Sequence, residues 1–229
     1  MKKFIISLVN KKRNQWREER FNLFLKNANI QKGSTILDLG GHDGGFFHNF
    51  QDKINHLDLK IIIADVDKQA LEVAKSRGFE VLLIAEDEKI SLDDQSIDMI
   101  FCNSVIEHIT VPSSEIWTCT DEEYFNNTSW KRQEAFANEI LRVGKGYFVQ
   151  TPHVDFIIEA HSWLPLVTRL SRINFIKVLR FTNKFWIVKS APGCHLLNEV
   201  QMKKLFDNAD NVYVKKIFGS KKEVIAYKK

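Results

Sequence analysis

The stretch of sequence that decides the fold is Thr35-Ile36-Leu37-Asp38-Leu39-Gly40-Gly41-His42-Asp43-Gly44-Gly45. Its first five residues are a short apolar run of the kind that forms a buried strand, and four glycines follow almost at once. Three phenylalanines at positions 46, 47 and 50 then recur at helical spacing. The pattern predicts a strand, a glycine loop and a helix, in that order. Glycine in such a loop permits positive φ angles and the close approach of another group.

The same alternation of strand and helix continues along the chain. After a helix at 14–28 and the first strand at 35–39, periodicity predicts strands at 60–64, 79–84, 97–102 and 146–150 and helices at 67–76 and 129–142. Near-continuous apolar strands between helices are typical of a parallel sheet covered on both faces. A helix at 198–208 precedes strands at 212–218 and 223–227, whose hairpin-sized link predicts an antiparallel pair. We therefore predict an α/β fold with a doubly wound, Rossmann-like seven-stranded sheet whose last strand is antiparallel.

The length of the chain and its long connections predict one domain with additions. A chain of 229 residues suits a single α/β core, and no repeat or Pro/Gly linker divides it. We assign residues 1–229 to one domain, in which residues 1–29 form an N-terminal helical extension. Residues 112–130 are a long connection, and residues 152–197 are a helical, basic insertion before the last helix and strand pair.

Composition excludes several classes of protein. The net charge of +4, from 33 basic and 29 acidic residues, is too small by itself to indicate nucleic acid binding. Cys102, Cys119 and Cys194 are far apart and odd in number, which argues against a disulfide framework and favours a reducing compartment. The first apolar run ends too soon, at Lys11, for a secretory core, and no run approaches the roughly 20 apolar residues of a membrane span. We expect a cytoplasmic protein, at most peripheral to a membrane.

Glycines and polar residues follow the predicted parallel strands at the edge where a doubly wound sheet binds its ligand. Each of them alone suits a solvated turn, but four successive strand ends together predict a nucleotide-type cofactor. The residues are Asp38, Gly40, Gly41 and Gly44 after the first strand, Asp65 and Val66 after the second, Glu86 and Asp87 after the third, and Asn103 after the fourth.

These segments resemble the successive motifs of class I S-adenosylmethionine-dependent methyltransferases, in the order and spacing of that family and with a type 11-like subgroup as the nearest match. The resemblance covers residues 30–150. The motifs that carry it are Ile36-Leu37-Asp38-Leu39-Gly40 with Gly44, Ala64-Asp65-Val66-Asp67, Ser96-Ile97-Asp98-Met99-Ile100-Phe101 and Val105-Ile106-Glu107-His108.

The resemblance implies that S-adenosylmethionine is the cofactor. The backbone at Gly40, near Asp38, would meet its methionine part, Asp65 would bind the ribose, and Glu86 or Asp87 would contact the adenine edge. A nicotinamide enzyme also uses a glycine loop, but this loop lacks the Gly-x-Gly-x-x-Gly spacing of that class.

The glycine loop departs from the family at His42, where glycine is usual. Histidine tolerates left-handed backbone better than most residues, so cofactor binding remains compatible with the sequence. The departure nevertheless keeps open a protein of a different class, one that binds the cofactor or acts as a scaffold without turnover.

Candidate catalytic groups follow the fifth strand, where the resemblance places the methyl acceptor. His153, Glu159 and His161 are titratable, and a neutral imidazole suits removal of a hydroxyl proton near pH 7. We expect His161 to act as the base, oriented by Glu159 or Asp155. The alternative is that Glu159 and His161 pair only to fix the loop.

Glu107 and His108 follow the fourth strand, where such a pair commonly packs and shapes the site in the family. His108 is the second candidate base. Some relatives bind a metal there through Glu-x-x-Glu-His, but Ser104 stands at the position of the first Glu. Too few ligands remain, so we predict no metal site.

The two long connections are predicted to face the acceptor. We interpret residues 112–130 as a lid, with exposed surface decoration as the alternative. Within 152–197, six basic residues and no acidic ones alternate with aromatic and aliphatic residues over 163–189. Such a segment can lie on an anionic membrane or grip a lipid-linked substrate. A packed helical subdomain, RNA and a dimer interface are the alternatives, and nucleic acid is the less favoured partner.

The predicted function is O-methylation of a sugar hydroxyl in a glycan or glycolipid. Residues 150–165 are similar to a methyltransferase subgroup associated with surface-glycan genes, in a Thr-Pro, aromatic, Ile-Glu-x-His, Leu-Pro pattern. A small-metabolite O- or N-methyltransferase is the nearest alternative. The sequence leaves the acceptor, the methylated atom and the oligomeric state open.

Overall fold

The computed structural model describes residues 2–86 and 89–229, and it contains seven helices and seven strands in these residues. Two short 3-10 turns, Ile106–His108 and Val167–Arg169, lie between them. The elements are α1 Lys2–Asn27, β1 Thr35–Leu39, α2 Gly45–His48, α3 Gln51–His56, β2 Lys60–Asp65, α4 Lys68–Ser76, β3 Glu80–Leu83, β4 Ile97–Asn103, α5 Glu122–Val143, β5 Gly144–Pro152, α6 Arg172–Thr182, α7 Glu199–Leu205, β6 Asn211–Ile217 and β7 Ser220–Lys228.

The strands form one seven-stranded sheet in the order β3-β2-β1-β4-β5-β7-β6. Neighbours among β1 to β5 pair in parallel, whereas β7 is antiparallel to both β5 and β6. This confirms the predicted Rossmann-like α/β fold with its antiparallel last strand. The link between β6 and β7 is shorter than the sequence predicted, because residues 220–222 already belong to β7.

The sheet has a hydrophobic core on each face because successive residues of a strand point to opposite sides. Leu37 and Leu39 of β1 lie in the core that α5 and α7 cover, whereas Ile36 lies in the opposite core. The second core also holds Phe21 and Phe24 of α1, both without exposed surface. The helix predicted at 14–28 is thus the C-terminal part of α1, and it packs on the sheet.

The long connection after β4 differs from the predicted lid. The predicted helix at 129–142 begins earlier, at Glu122, and Asp121 caps it by accepting a hydrogen bond from the Tyr124 backbone N at 3.0 Å. Residues 122–130 are therefore helix, and only residues 112–121 remain as a connection. Phe125 is buried beneath the insertion, which argues against the alternative of exposed surface decoration at this residue.

The insertion at 152–197 is fastened to this connection by Arg172 at the start of α6. The guanidinium lies 3.6 Å from the centroid of the Phe125 ring. It donates hydrogen bonds to the backbone oxygens of Ile116 at 2.8 Å, Cys119 at 3.1 Å and Pro192. Because buried carbonyl oxygens need donors, one side chain joins three segments of the acceptor side.

We expect Arg172→Met to loosen the insertion, because the apolar chain fills the space but leaves one buried and two partly buried carbonyl oxygens without this donor. The free energy of unfolding should fall by about 2 kcal/mol or more. Hydrogen exchange measured by mass spectrometry should accelerate in residues 112–121 and 160–195. Arg169→Met, at an exposed neighbour, is the control and should leave both unchanged; equal effects of the two substitutions would contradict the anchoring role.

Candidate active site

The glycine loop between β1 and α2 is left-handed at three positions and is tied to β2. Gly40, His42 and Gly44 have φ angles of 76°, 51° and 69°. The His42 backbone N donates to Asp65 Oδ2 at 2.7 Å. The Gly40 backbone N donates to the Ala64 oxygen at 2.7 Å. His42 thus adopts the conformation that the family provides with glycine, at a strain cost on the order of 1 kcal/mol.

At three of the loop glycines, a neighbouring side chain occupies the space that a β-carbon would need. A β-carbon at Gly41 would lie 2.6 Å from the Asp38 carboxyl carbon, and one at Gly44 would lie 2.9 Å from the Phe79 ring. A β-carbon at Gly40 would clash with Val105, just beyond β4. These glycines let neighbouring strands and loops pack closely against the loop, and their predicted contact with a ligand stays a prediction. Close packing of the loop also brings Val105 and the residues after it to the cofactor edge.

Two buried polar atoms at this edge have no hydrogen-bond partner within the described chain. They are Asp38 Oδ2 at the end of β1 and Asn103 Oδ1 at the end of the adjacent β4. Burial, with the nearby Asp65 carboxylate, raises the pKa of Asp38 to about 8. An unpaired buried polar atom costs free energy, so such atoms at a ligand-binding edge suit the donors of a bound ligand.

The residues after β2 and β3 are placed as a nucleoside-binding edge requires. Asp65 accepts backbone hydrogen bonds from His42 and, at 2.9 Å, from Asp67, and each carboxylate oxygen keeps a further lone pair. Val66 is half exposed beside it. Glu86 is exposed and lies 3.7 Å from Arg132, and Asp87 is outside the described residues.

Comparison with known proteins relates this arrangement to methyltransferases. Residues 37–122 match the family model described as a methyltransferase domain, which covers less than half of the chain. Over these residues the chain resembles class I S-adenosylmethionine-dependent methyltransferases. No curated protein matches its sequence significantly.

Solved structures show the same fold in other methyltransferases. A SAM-dependent methyltransferase from Archaeoglobus fulgidus aligns with a TM-score of 0.50 and 11% identity over 93% of this chain and 94% of its own. Coclaurine N-methyltransferase bound to N-methylheliamine and SAH aligns with a TM-score of 0.53 and 15% identity over 87% of this chain. The match covers only 51% of that enzyme's length. At these identities the likeness concerns the fold alone.

The resemblance implies S-adenosylmethionine as the cofactor, and the residues present fit that molecule. Asp38 offers an unpaired buried carboxylate oxygen for the amino group of the methionine part. Asp65 has free lone pairs for ribose hydroxyls, and the half-exposed Val66 offers an apolar surface to the adenine. The assignments of individual residues remain proposals.

The acceptor side of the enzyme brings together residues that are far apart in sequence. Glu107, without exposed surface, accepts a hydrogen bond from Thr151 at 2.8 Å. His161 Nδ1 is 2.8 Å from Glu159 Oε1, and its Nε2 is 3.7 Å from Glu107 Oε1. The ring of His108 stands edge-on to that of His161, with centroids 4.5 Å apart.

Cys194 completes this group, although the sequence argument did not single it out. Its Sγ lies 3.5 Å from His108 Nδ1 and 3.4 Å from His161 Nδ1. The thiol is 86 residues from one imidazole and 33 from the other. No local spacing signals this contact, which exists only because the segment before α7 returns to the sheet edge.

The electrostatics of the group disfavour a neutral His161. Burial works to lower the pKa of His161, but Cys194, Glu107 and Glu159 together raise it to about 12. Burial opposes ionisation of Glu159, yet hydrogen bonds from His161 and Ser162 lower its pKa to about 2. In this arrangement the His161 ring carries a proton at neutral pH, so the expected neutral imidazole is not the form present.

The structure buries His153 between β5 and α7, and this position does not support the predicted catalytic role. The side chain has no exposed surface. His153 Nε2 is 2.7 Å from Glu199 Oε2, and His153 Nδ1 accepts a hydrogen bond from the Asp155 backbone N at 3.0 Å. Nε2 therefore joins the end of β5 to α7, whereas Nδ1 fixes the turn that follows β5. Glu159, rather than Asp155, is the partner of His161.

We expect Asp38→Asn to weaken cofactor binding and to raise the stability of the cofactor-free protein at alkaline pH. Asp38 holds a proton more tightly in the folded chain, with a pKa of about 8 against 3.8, so the stability it contributes is fully present below about pH 4 and is lost progressively as the pH rises to about 8. The amide cannot ionise, so the cofactor-free variant should gain most melting temperature over the wild type at about pH 9 and little at about pH 4. Calorimetry should show weaker binding of S-adenosylmethionine.

Asp98→Asn is the matched control for this prediction. Asp98 pairs with Lys145 at 2.7 Å and accepts from the Thr35 backbone N at 2.9 Å, away from the loop. Its substitution should lower stability and leave cofactor affinity unchanged. Wild-type affinity in Asp38→Asn would contradict the assignment of Asp38 to the cofactor.

Proposed function

We propose that this methyltransferase transfers a methyl group to a sugar hydroxyl of a glycan or glycolipid. The observation that carries the proposal is the group of two imidazoles and two buried carboxylates formed by His108, His161, Glu107 and Glu159. A sugar hydroxyl is a weak nucleophile that has to lose its proton. An arrangement of groups that move or hold protons therefore suits such an acceptor better than an amine.

The position of this group supports its role in activating the acceptor. Val105 packs against the glycine loop at Gly40, and Glu107 and His108 follow it directly in the next turn. S-adenosylmethionine supplies a methyl group bonded to a sulfonium that leaves readily. The chain's contribution is then to orient the hydroxyl and to take its proton. His108 is exposed, so it is the member of the group that an acceptor reaches first.

His161 acts beside His108 and is held in place by Glu159. Glu159 accepts hydrogen bonds from both the ring and the backbone N of His161, at 2.8 and 2.9 Å, and from the Ser162 backbone N at 2.6 Å. These contacts fix the loop after β5 and orient the imidazole together. The two roles that the sequence left as alternatives for Glu159 are therefore compatible.

The acceptor class is tested with S-adenosylmethionine labelled in its methyl group. The purified enzyme is incubated separately with lipid-linked glycans, with free sugars and sugar nucleotides, and with small phenols and amines. We expect label in the glycan fractions, as a methyl ether that survives alkaline hydrolysis. Label confined to phenols or amines would favour the small-metabolite enzyme, and cofactor binding without transfer to any fraction would favour the scaffold.

We expect His161→Ala to lower kcat by about 10²–10³-fold, because the protonated ring orients His108 and stabilises the negative charge that develops on the acceptor oxygen. Cofactor affinity, measured by calorimetry, should stay unchanged because His161 lies on the acceptor side. His56→Ala, at an exposed histidine at the end of α3, is the control and should retain full turnover. Normal turnover in both His161→Ala and His108→Ala would remove these residues from the mechanism.

The insertion also supports a substrate presented at a lipid surface. Large apolar side chains are exposed along it, and Ile187 reaches 88% exposure. The others between residues 163 and 187 are Trp163, Leu166, Leu170, Ile173, Phe181, Phe185 and Trp186. No described helix is long and apolar enough to cross a membrane. An exposed apolar surface of this kind marks an interaction site.

Exposed basic residues accompany this apolar surface. Arg172 is buried and is therefore unavailable to a ligand. Arg180 donates to the Trp117 backbone oxygen at 2.8 Å. Arg169, Lys177, Lys184 and Lys189 are exposed. Apolar side chains flanked by cations are the pattern of a segment that lies on an anionic bilayer.

We expect the enzyme to bind vesicles that contain anionic lipid more tightly than neutral ones. The triple change Lys177→Glu, Lys184→Glu and Lys189→Glu should weaken this binding on the order of 100-fold, given about 1 kcal/mol for each lysine near the surface. Co-sedimentation with vesicles at several salt concentrations measures it.

The control for the vesicle experiment reverses the same number of charges elsewhere. Lys75, Lys203 and Lys216 are exposed and lie on α4, α7 and β6. Changing all three to glutamate should reduce vesicle binding far less. Equal losses in the two triple variants would indicate a net-charge effect and contradict a specific surface.

A further inference from the structure

The acceptor-side group contains three side chains that are common metal ligands. The donor atoms of His108, His161 and Cys194 all lie within 4.8 Å of one another. The three residues come from the 3-10 turn after β4, from the loop after β5 and from the segment before α7. Cys194 has no part in the hydroxyl activation described above, although its Sγ is in contact with both imidazoles.

The distances in this group suit a shared tetrahedral ion. Zinc binds thiolate sulfur at about 2.3 Å and imidazole nitrogen at about 2.0–2.1 Å, so a sulfur and a nitrogen ligand lie about 3.5 Å apart. Cys194 Sγ is 3.5 Å from His108 Nδ1 and 3.4 Å from His161 Nδ1. The two sulfur–nitrogen edges of the coordination polyhedron are therefore already formed.

A buried carboxylate oxygen is positioned to accept a hydrogen bond from one of the ligands of this ion. Among the residues that the structure describes, the fully buried Glu107 Oε1 has no hydrogen-bond partner, and it lies 3.7 Å from His161 Nε2. When Nδ1 of a histidine binds a metal, its Nε2 carries the proton and commonly donates it to a carboxylate. A small rotation of His161 gives Glu107 the donor that it lacks.

The charge of the surroundings also requires a cation. Glu107 and Glu159 are buried, with 0% and 2% of their side chains exposed. In the described part of the chain, neither carboxylate forms an ion pair with lysine or arginine, and histidine is their only cationic contact. Buried carboxylates need compensating charge, which a divalent ion supplies in place of the imidazole protons.

We propose that His108, His161 and Cys194 bind one divalent ion of the zinc type, with Glu107 orienting His161. Imidazole and thiolate ligands select such an ion over magnesium or calcium. Binding releases the thiol proton of Cys194 and the Nδ1 proton of His161 to solvent, and no group changes oxidation state. When His161 Nδ1 binds the ion, Glu159 loses its hydrogen bond with that ring nitrogen. It keeps the hydrogen bonds from the backbone N–H groups of His161 and Ser162.

This inference rests on the proposed function and deepens it. Three protein ligands leave the fourth position of a tetrahedral ion open, as in catalytic zinc sites. An acceptor hydroxyl bound there is acidified by the ion and loses its proton near neutral pH. The ion would thus assist the loss of the proton from the acceptor hydroxyl.

The test uses Co²⁺ as a spectroscopic probe of the purified, chelator-treated full-length chain. A single equivalent should bind with a near-ultraviolet thiolate charge-transfer band and the visible bands of a tetrahedral site. Cys194→Ser should lose the charge-transfer band, and Glu107→Gln should weaken Zn²⁺ binding by about 10–100-fold. Cys119→Ser, at a half-buried cysteine near Arg172, is the matched control and should keep the full spectrum.

Cofactor binding, measured by calorimetry on the same samples, separates this inference from the proposed function. Failure of the wild-type chain to bind Co²⁺ or Zn²⁺ stoichiometrically, while it still binds S-adenosylmethionine, overturns the metal site and leaves the methyltransferase proposal in place. Retention of the charge-transfer band in Cys194→Ser, or its loss in Cys119→Ser, also overturns the site. Unchanged cofactor affinity in Cys194→Ser shows that the variant is folded.

Discussion

The attachment of the β1–α2 loop to the end of β2 is the constraint on which the site depends. Asp65 accepts the backbone N–H of His42, and the Ala64 oxygen accepts that of Gly40. These bonds hold the left-handed loop over the sheet edge, where only small residues leave room for Val105 and Asp38. The cofactor edge and the turn that carries Glu107 are positioned by the same packing.

The acceptor side depends on a second set of long-range contacts, centred on Arg172. Its guanidinium joins α6 to the connection after β4 and to the segment that leads to Cys194. The same anchoring directs apolar and basic side chains of the insertion outward. One side chain therefore supports both the group of imidazoles and the surface that we propose meets a membrane.

Much of the fold follows from local pattern. The strand at 35–39 has the bounds that its apolar run predicted, and Asn198 caps α7 through a capping box, as its residue type indicated. The start of α5 was missed because its first two turns are polar and aromatic, which resembles a loop when the neighbours are unknown. Phe125 lies on the buried face of that helix only because Arg172 covers it.

The sequence by itself determined the order of the elements and the polar strand ends, because these follow from periodicity and from residues close together in the chain. Its resemblance to a known family implied the cofactor class. Only the tertiary structure decided that His153 is buried between β5 and α7. It also decided that Cys194 contacts His108 and His161. The reason is physical: neither relationship has a sequence spacing, since each is set by how separate segments pack at one edge of the sheet.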